Sequence, residues 1–258
     1  MITAAVERVG RSVLGVVEDA GRYMRVLVLG LLNLFRPPMR LRLTFKQMEF
    51  VGNQSLSIVL ITGAFTGAVF ALQSHIAFAM FGADSLTGST VAMALTRELA
   101  PVFCALMVTG RAGSAMAAEI GTMRVTEQID ALEAMAVDPM SYLVAPRIVA
   151  GVVMLPVLTA VFDLIGVAGA TLVGLKVLYI PEGPFLNRIE WYVDPDDIWN
   201  GLSKAAVFGL ILAVVGCTKG LYASGGAEGV GRATTGAVVI SSVAILVSDY
   251  FLTSALMV

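Results

Sequence analysis

Five long apolar stretches dominate the chain, at roughly 52–80, 89–116, 143–175, 200–222 and 233–256. Each can cross a hydrocarbon core of about 30 Å at a rise of about 1.5 Å per residue. The third is longer than crossing requires, which predicts tilt or extension beyond the bilayer. The segment ahead of them has a different pattern. Val6, Val9, Val13, Val16, Val17, Ala20, Met24 and Leu27 recur at helical spacing, punctuated by Arg8, Arg11, Glu18, Asp19, Arg22 and Arg25. That pattern predicts an amphipathic helix lying in the membrane interface and ending at Pro37 and Pro38. A cytosolic helix is the alternative, although nothing soluble is left for it to pack on. A basic lead-in, Met39–Glu49, joins it to the first span. The expectation is an all-α integral membrane protein, with residues 1–50 as interfacial helix and lead-in and 51–258 as a five-span domain.

Composition agrees with this. Of 258 residues, 57% are hydrophobic and only 14% charged, with mean hydropathy +0.85. A soluble domain carries about 25% charged residues. The net charge of -2 gives no reason to expect nucleic acid. Cys104 and Cys217 both sit in apolar runs and read as small buried hydrophobes. His75 is the single histidine, so no histidine cluster can build a metal site. The charged N-terminal pattern does not resemble a cleavable signal peptide.

Basic residues orient the spans. Eight lie in the first fifty positions, and Arg111, Arg124 and Arg147 flank the segment between spans two and three. Lys219 and Arg232 flank the last connection, whereas 177–199 carries Arg188 against five acids. The positive-inside rule then places the N-terminus, 117–142 and 223–232 in the cytoplasm. The acidic 177–199 loop and the C-terminus face outward.

The most unusual stretch, Gly110–Pro146, reads GRAGSAMAAEIGTMRVTEQIDALEAMAVDPMSYLVAP. It is polar yet lies between two spans. Thr126 is positioned to cap a helix running to about Ala136, with Asp138-Pro139 ending it. Such a helix suits docking of a motor subunit; an interfacial connector fits the same pattern. Small residues within the spans, Gly63, Gly67, Gly166, Gly169, Ala170 and Gly174, permit close helix approach.

That middle run, with LTRELAPV at Leu95–Val102, YLVAPR at Tyr142–Arg147 and GRATT at Gly231–Thr235, resembles the MlaE (YrbE) family of ABC permeases. The likeness extends over nearly the whole chain, although the 177–199 loop matches no family pattern. It implies a homodimer seated on two cytoplasmic ABC ATPase subunits and crowned by a periplasmic MCE-domain lipid-binding protein. The implied setting is the bacterial cell inner membrane. The implied task is moving phospholipid to maintain outer-membrane lipid asymmetry; sterol or fatty acid is the cargo of some relatives. The middle helix, about 124–136, would dock on the ATPase, which points to Arg124, Glu127, Gln128, Asp130, Glu133 and Met135. The chain has no Walker A motif, so it binds no cofactor of its own on this view, and ATP-Mg belongs to the partner.

Two groups are candidates for a lipid cavity. Arg97 and Glu98 lie inside the second span, where charge is costly and faces a cavity or a partner. A structural ion pair between helices is the competing account. Phe70, Ser74, Ala77, Phe78 and Phe81 share one face near the outer end of span one, suited to acyl chains or to core packing. Asp163 and Asp249 are further intramembrane acids, with proton binding, a water-facing position, or pairing with Lys176 or Lys204 all open. An intramembrane enzyme is disfavoured by the single histidine and the absence of HExxH and GxSxG. Five spans without an inverted repeat also disfavour a proton-coupled carrier.

Overall fold

The computed structural model describes residues 2–34 and 40–256, with side chains from Leu14 onward except Val16. The expected break at Pro37 and Pro38, and the first apolar side chains of the leading helix, lie outside the described residues. Every element among the described residues is helical. Helix α1 spans Ile2–Leu34. Five helices long and apolar enough to cross a membrane follow: α2 Leu41–Ala79, α3 Asp84–Val125, α5 Met140–Lys176, α7 Pro195–Leu221 and α8 Gly226–Leu256. Two short helices connect them, α4 at Gln128–Ala134 and α6 at Glu182–Tyr192.

The spanning helices are longer than the apolar runs within them. Helix α3 has 42 residues and α5 has 37, about 60 and 55 Å of helix. Both therefore extend past a bilayer core or cross it tilted. Helix α3 is also irregular. Wide, π-helical turns at Leu95–Leu99 and Thr109–Gly113 interrupt it, and such turns change the direction in which later side chains point.

Close packing holds the bundle together, since lipid tails provide no hydrophobic drive between helices. Helices α2 and α5 form the most extensive pair. A Cβ on Gly67 would land on the Gly166 carbonyl, so only glycine allows this crossing. Helices α5 and α7 come together where Gly151 and Gly209 lie against one another. The buried core includes Leu95, Leu155, Leu158, Phe162, Phe208 and Leu212.

Two apolar clusters divide the bundle lengthwise. The second links α1 through Val26, α4 through Ile129, and the adjacent ends of α5 and α7 through Ile148 and Val214. Asn33 of α1 donates to Asp138 at 2.9 Å, and the Arg22 guanidinium lies 4.9 Å above the Tyr222 ring. Helix α1 therefore sits at the same end as α4 and the α7–α8 turn. The α2–α3 turn, α6 and the end of α8 lie at the opposite end. Leu14, Val17, Met24, Val28 and Leu32 of α1 are exposed, leaving an apolar stripe free along that helix.

Candidate functional site

Arg97 and Glu98 sit in the first wide turn of α3, at the end of the bundle away from α1. Neighbouring helical residues point about 100° apart, and here they reach two different residues of α7. The Arg97 Nε donates to Asp197 Oδ1 at 2.7 Å. The Glu98 carboxylate accepts from Lys204 Nζ at 2.8 Å. Asp197 is placed by the start of α7. Asp194 caps that helix, and Asp197, three residues on, accepts the Asp194 backbone N–H through Oδ2 at 3.2 Å. One carboxylate thus completes a capping box and receives Arg97.

Lys204 is 3% exposed, and nearly all its donor capacity is used. It donates to Glu98, to Thr253 Oγ1 at 2.6 Å and to the Arg97 carbonyl at 3.1 Å, and it lies 3.4 Å from Asp249. The backbone contact has a local cause. Position 101 is proline, which has no N–H to offer the carbonyl four residues earlier, and the Lys204 ammonium takes that place. Gly201 makes the approach possible, because a Cβ there would run into the Thr96 carbonyl.

These groups surround a cavity of about 350 Å³ lined by Arg97, Glu98, Asp197, Asn200, Lys204, Thr253 and Leu256. Helices α3, α7 and α8 supply the whole lining. The interhelical ion pairs and the cavity anticipated as alternatives for Arg97 and Glu98 occur together. Arg97 is about one-third exposed, and its two terminal nitrogens donate to no described residue. They are the site's uncommitted cationic donors.

The aromatic face of α2 lines none of this cavity. Phe70 packs on the core and Ser74 is buried, while Phe78 is half-buried and Ala77 exposed. Phe81 lies beyond the end of α2 and is 83% exposed. The glycine contact with α5 turns this face away from α7 and α8. Asp249 pairs with Lys204, whereas Asp163 is buried in α5 with one carboxylate oxygen lacking a hydrogen-bond partner among the described residues. Sequence reading passed over Asp197, Asn200 and Thr253. The available signals were the Asp-Pro-Asp-Asp start of α7 and a lone lysine in an apolar run.

At the other end, the expected helix at 124–136 is shorter, Gln128–Ala134. Thr126 does not cap it; its hydroxyl donates back to the Thr122 carbonyl at 2.7 Å. Glu127 takes a left-handed conformation, φ 59°, and breaks the path between α3 and α4. Arg124 closes the corner by pairing with Asp130 at 2.6 Å. Ile129 is buried beneath α4, while Glu127, Gln128, Asp130, Glu133 and Met135 around it are exposed. The corner is joined to the bundle by Arg147 of α5. This residue is 3% exposed and donates to Glu119 of α3 at 2.7 Å and to the Leu143 carbonyl at 2.7 Å. The expected outer loop at 177–199 holds α6, anchored by Phe185, which is fully buried against Gly88 and Gly174.

Residues 44–255 match the family model described as permease MlaE. A probable ABC transporter permease protein of Rickettsia conorii is 44% identical over 95% of each chain. The intermembrane phospholipid transport system permease protein MlaE of Haemophilus influenzae is 38% identical over 98% of each. The chloroplast protein trigalactosyldiacylglycerol 1 of Arabidopsis thaliana is 38% identical over 86% of this chain and 64% of its own length.

Proposed function

The chain belongs to the MlaE permease family, and from that premise we propose that it is the membrane subunit of an ABC system that moves phospholipid between the inner membrane and an external MCE-type lipid-binding protein. The Arg97 guanidinium carries this proposal, with its free terminal nitrogens in a cavity between three spans. A guanidinium fork matches phosphate oxygens in geometry and charge. Burial in a membrane segment makes such a charge expensive unless it serves a ligand or a pathway. Asp197 holds the group in place through Nε and leaves the fork pointing into the cavity. Asn200 adds a neutral polar group for the remainder of a head group. About 350 Å³ admits a head group but not a whole lipid, so acyl chains lie along the apolar surface outside.

The chain is a transport subunit without catalytic chemistry of its own, and work is supplied by a separate ATPase. The exposed side of α4 is the docking surface, with the α1 end in the cytoplasm and the C-terminus outside. Two copies form the transporter, their cavities facing a shared opening beneath the external partner. ATP-driven closure of the ATPase pair moves α4. The pair of buried Arg147 with the exposed Glu119 and the long rigid helices α3, α5 and α7 carry that movement to the Arg97 end. Coupling of this kind requires two states with different affinity for nucleotide and for lipid. The outcome is maintenance of lipid asymmetry in the outer membrane.

The test is co-purification in mild detergent from native membranes, followed by ATPase assay and lipid mass spectrometry. Wild type is expected to bring down an ATPase and phospholipid. The variant Glu127→Lys with Glu133→Lys keeps the lipid and loses the ATPase. Arg97→Gln keeps the ATPase and loses lipid. A folded wild type that recovers no ATPase would overturn the assignment in favour of an ATP-independent carrier.

A further inference from the structure

A second polar recess lies at the α1 end, far from the Arg97 cavity, between the interfacial helix and the α7–α8 turn. Its volume is about 250 Å³, and Arg22 and Tyr23 of α1, Lys219 and Tyr222 of α7, and Arg232 of α8 contribute to its walls. The cations in it are not equivalent. Arg22 is neutralised within its own helix by Glu18 at 2.6 Å and Asp19 at 3.1 Å, and it lies over the Tyr222 ring. Arg232 is 70% exposed and holds Glu228 at 3.3 Å one turn away. Lys219 has no acidic partner within ion-pair distance among the described residues. Its ammonium is placed 5.9 Å from the Tyr23 ring, a cation–π distance. Asp19 is the one acid in the lining, and Arg22 already occupies it.

We propose that this recess binds a phosphate anion, with Lys219 as the principal charge, Arg232 as a second donor, and the Tyr23, Tyr222 and Ser224 hydroxyls as neutral donors. Its position selects a lipid head group as the source. The recess lies on the side of α1 that packs on the bundle, near buried Val26, while the opposite face exposes Leu14, Val17, Met24 and Val28. A helix with such a stripe lies at head-group depth with its apolar face in the acyl boundary. Basic recesses at helix junctions on this side of a membrane take anionic lipid head groups. Tyrosine rings at the rim suit the same depth. A lipid bound here bridges α1 to the α7–α8 turn and fastens the interfacial helix to the bundle. This site is independent of the transport cavity, since the two share no residue and lie at opposite ends.

The experiment reconstitutes the complex in nanodiscs of phosphatidylcholine containing a minor fraction of phosphatidylglycerol, extracts it gently and counts retained lipid by native mass spectrometry. A parallel arm adds inorganic phosphate to lipid-depleted protein in detergent and follows binding calorimetrically. Wild type is expected to retain phosphatidylglycerol over phosphatidylcholine. Lys219→Gln lowers that retention roughly tenfold, and Lys219→Arg restores it, as loss and return of one charge-assisted contact require. Arg97→Gln removes the lipid of the transport cavity but keeps the Lys219-dependent difference in phosphatidylglycerol retention, which separates the recess from that cavity. Inorganic phosphate binding that depends on Lys219 without phosphatidylglycerol preference would confirm the anion chemistry and assign a soluble source. Equal retention by wild type and Lys219→Gln, with no Lys219-dependent phosphate binding, overturns the proposal.

Discussion

Replacing Lys204 by methionine keeps most of the apolar stem, one heavy atom shorter, while removing the charge at the centre of the Arg97 cavity. In the folded protein the ammonium is 3% exposed, 2.8 Å from Glu98 and 3.4 Å from Asp249, with two further acceptors in Thr253 and the Arg97 carbonyl. At 2.8 Å, the attraction to Glu98 alone is about 6 kcal/mol at an effective dielectric of 20 and about 1.5 in water. Glu98 is 33% exposed on the cavity side, so the operative value lies between these limits. Part of it is offset by the cost of desolvating the lysine. Removing one partner of such a pair leaves the other charge buried, and here it leaves two acids facing each other. The expected loss is about 3 kcal/mol. For a chain of this size that is a fall in Tm of roughly 5–10 °C. Thermal unfolding of the purified protein in one detergent provides the assay, and the double variant Lys204→Met with Glu98→Gln provides the control. If charge loss is the cause, neutralising Glu98 recovers part of the stability, with a coupling of about 1–3 kcal/mol. A single variant that melts with wild type, or a double variant whose losses add, refutes the network as described.

Three further outcomes follow from the packing. Gly67→Leu should push α2 from α5, because even a Cβ meets the Gly166 carbonyl. The loss of folded yield and Tm should correspond to more than about 2 kcal/mol, whereas Gly21→Ala, with open space at its Cβ, changes Tm slightly or raises it. Ala136 adopts a left-handed conformation at φ 58°, so Ala136→Gly should stabilise the turn after α4 by up to about 1 kcal/mol while Ala136→Val lowers Tm. Cys104 and Cys217 are both fully buried, so maleimide should leave them unmodified in mild detergent and label both in denaturing detergent; rapid labelling of either in the folded state would contradict the packing.

Much of the bundle was legible in the chain because membranes impose local rules. A helix in hydrocarbon must satisfy its own backbone, so long runs such as 143–175 announced spans without reference to their neighbours. The motif around Gly110–Pro146 carried the family resemblance for the same reason, being contiguous. Small residues also signalled close approach, and Gly67 does meet Gly166. The partner helix, however, could not be read from spacing, because glycine permits a crossing without specifying which one.

The charged cavity lay beyond the sequence. Arg97 and Glu98 stood out as costly charges in a span, but Asp197 and Lys204 lie about a hundred residues away. Only the tertiary contact of α3 with α7 brings them together. The break at Glu127 was hidden as well. A left-handed glutamate has no propensity signal, and the surrounding fold selects it. The aromatic face of α2 shared one side of its helix as periodicity required, yet periodicity does not say what that side meets; the α2–α5 contact turned it from the cavity. Local chemistry thus determined which segments cross the membrane and where charge would be expensive. The three-dimensional packing decided which charges compensate one another, and Lys204 could be buried only because a glycine, a proline and three acceptors on two other helices converge on it.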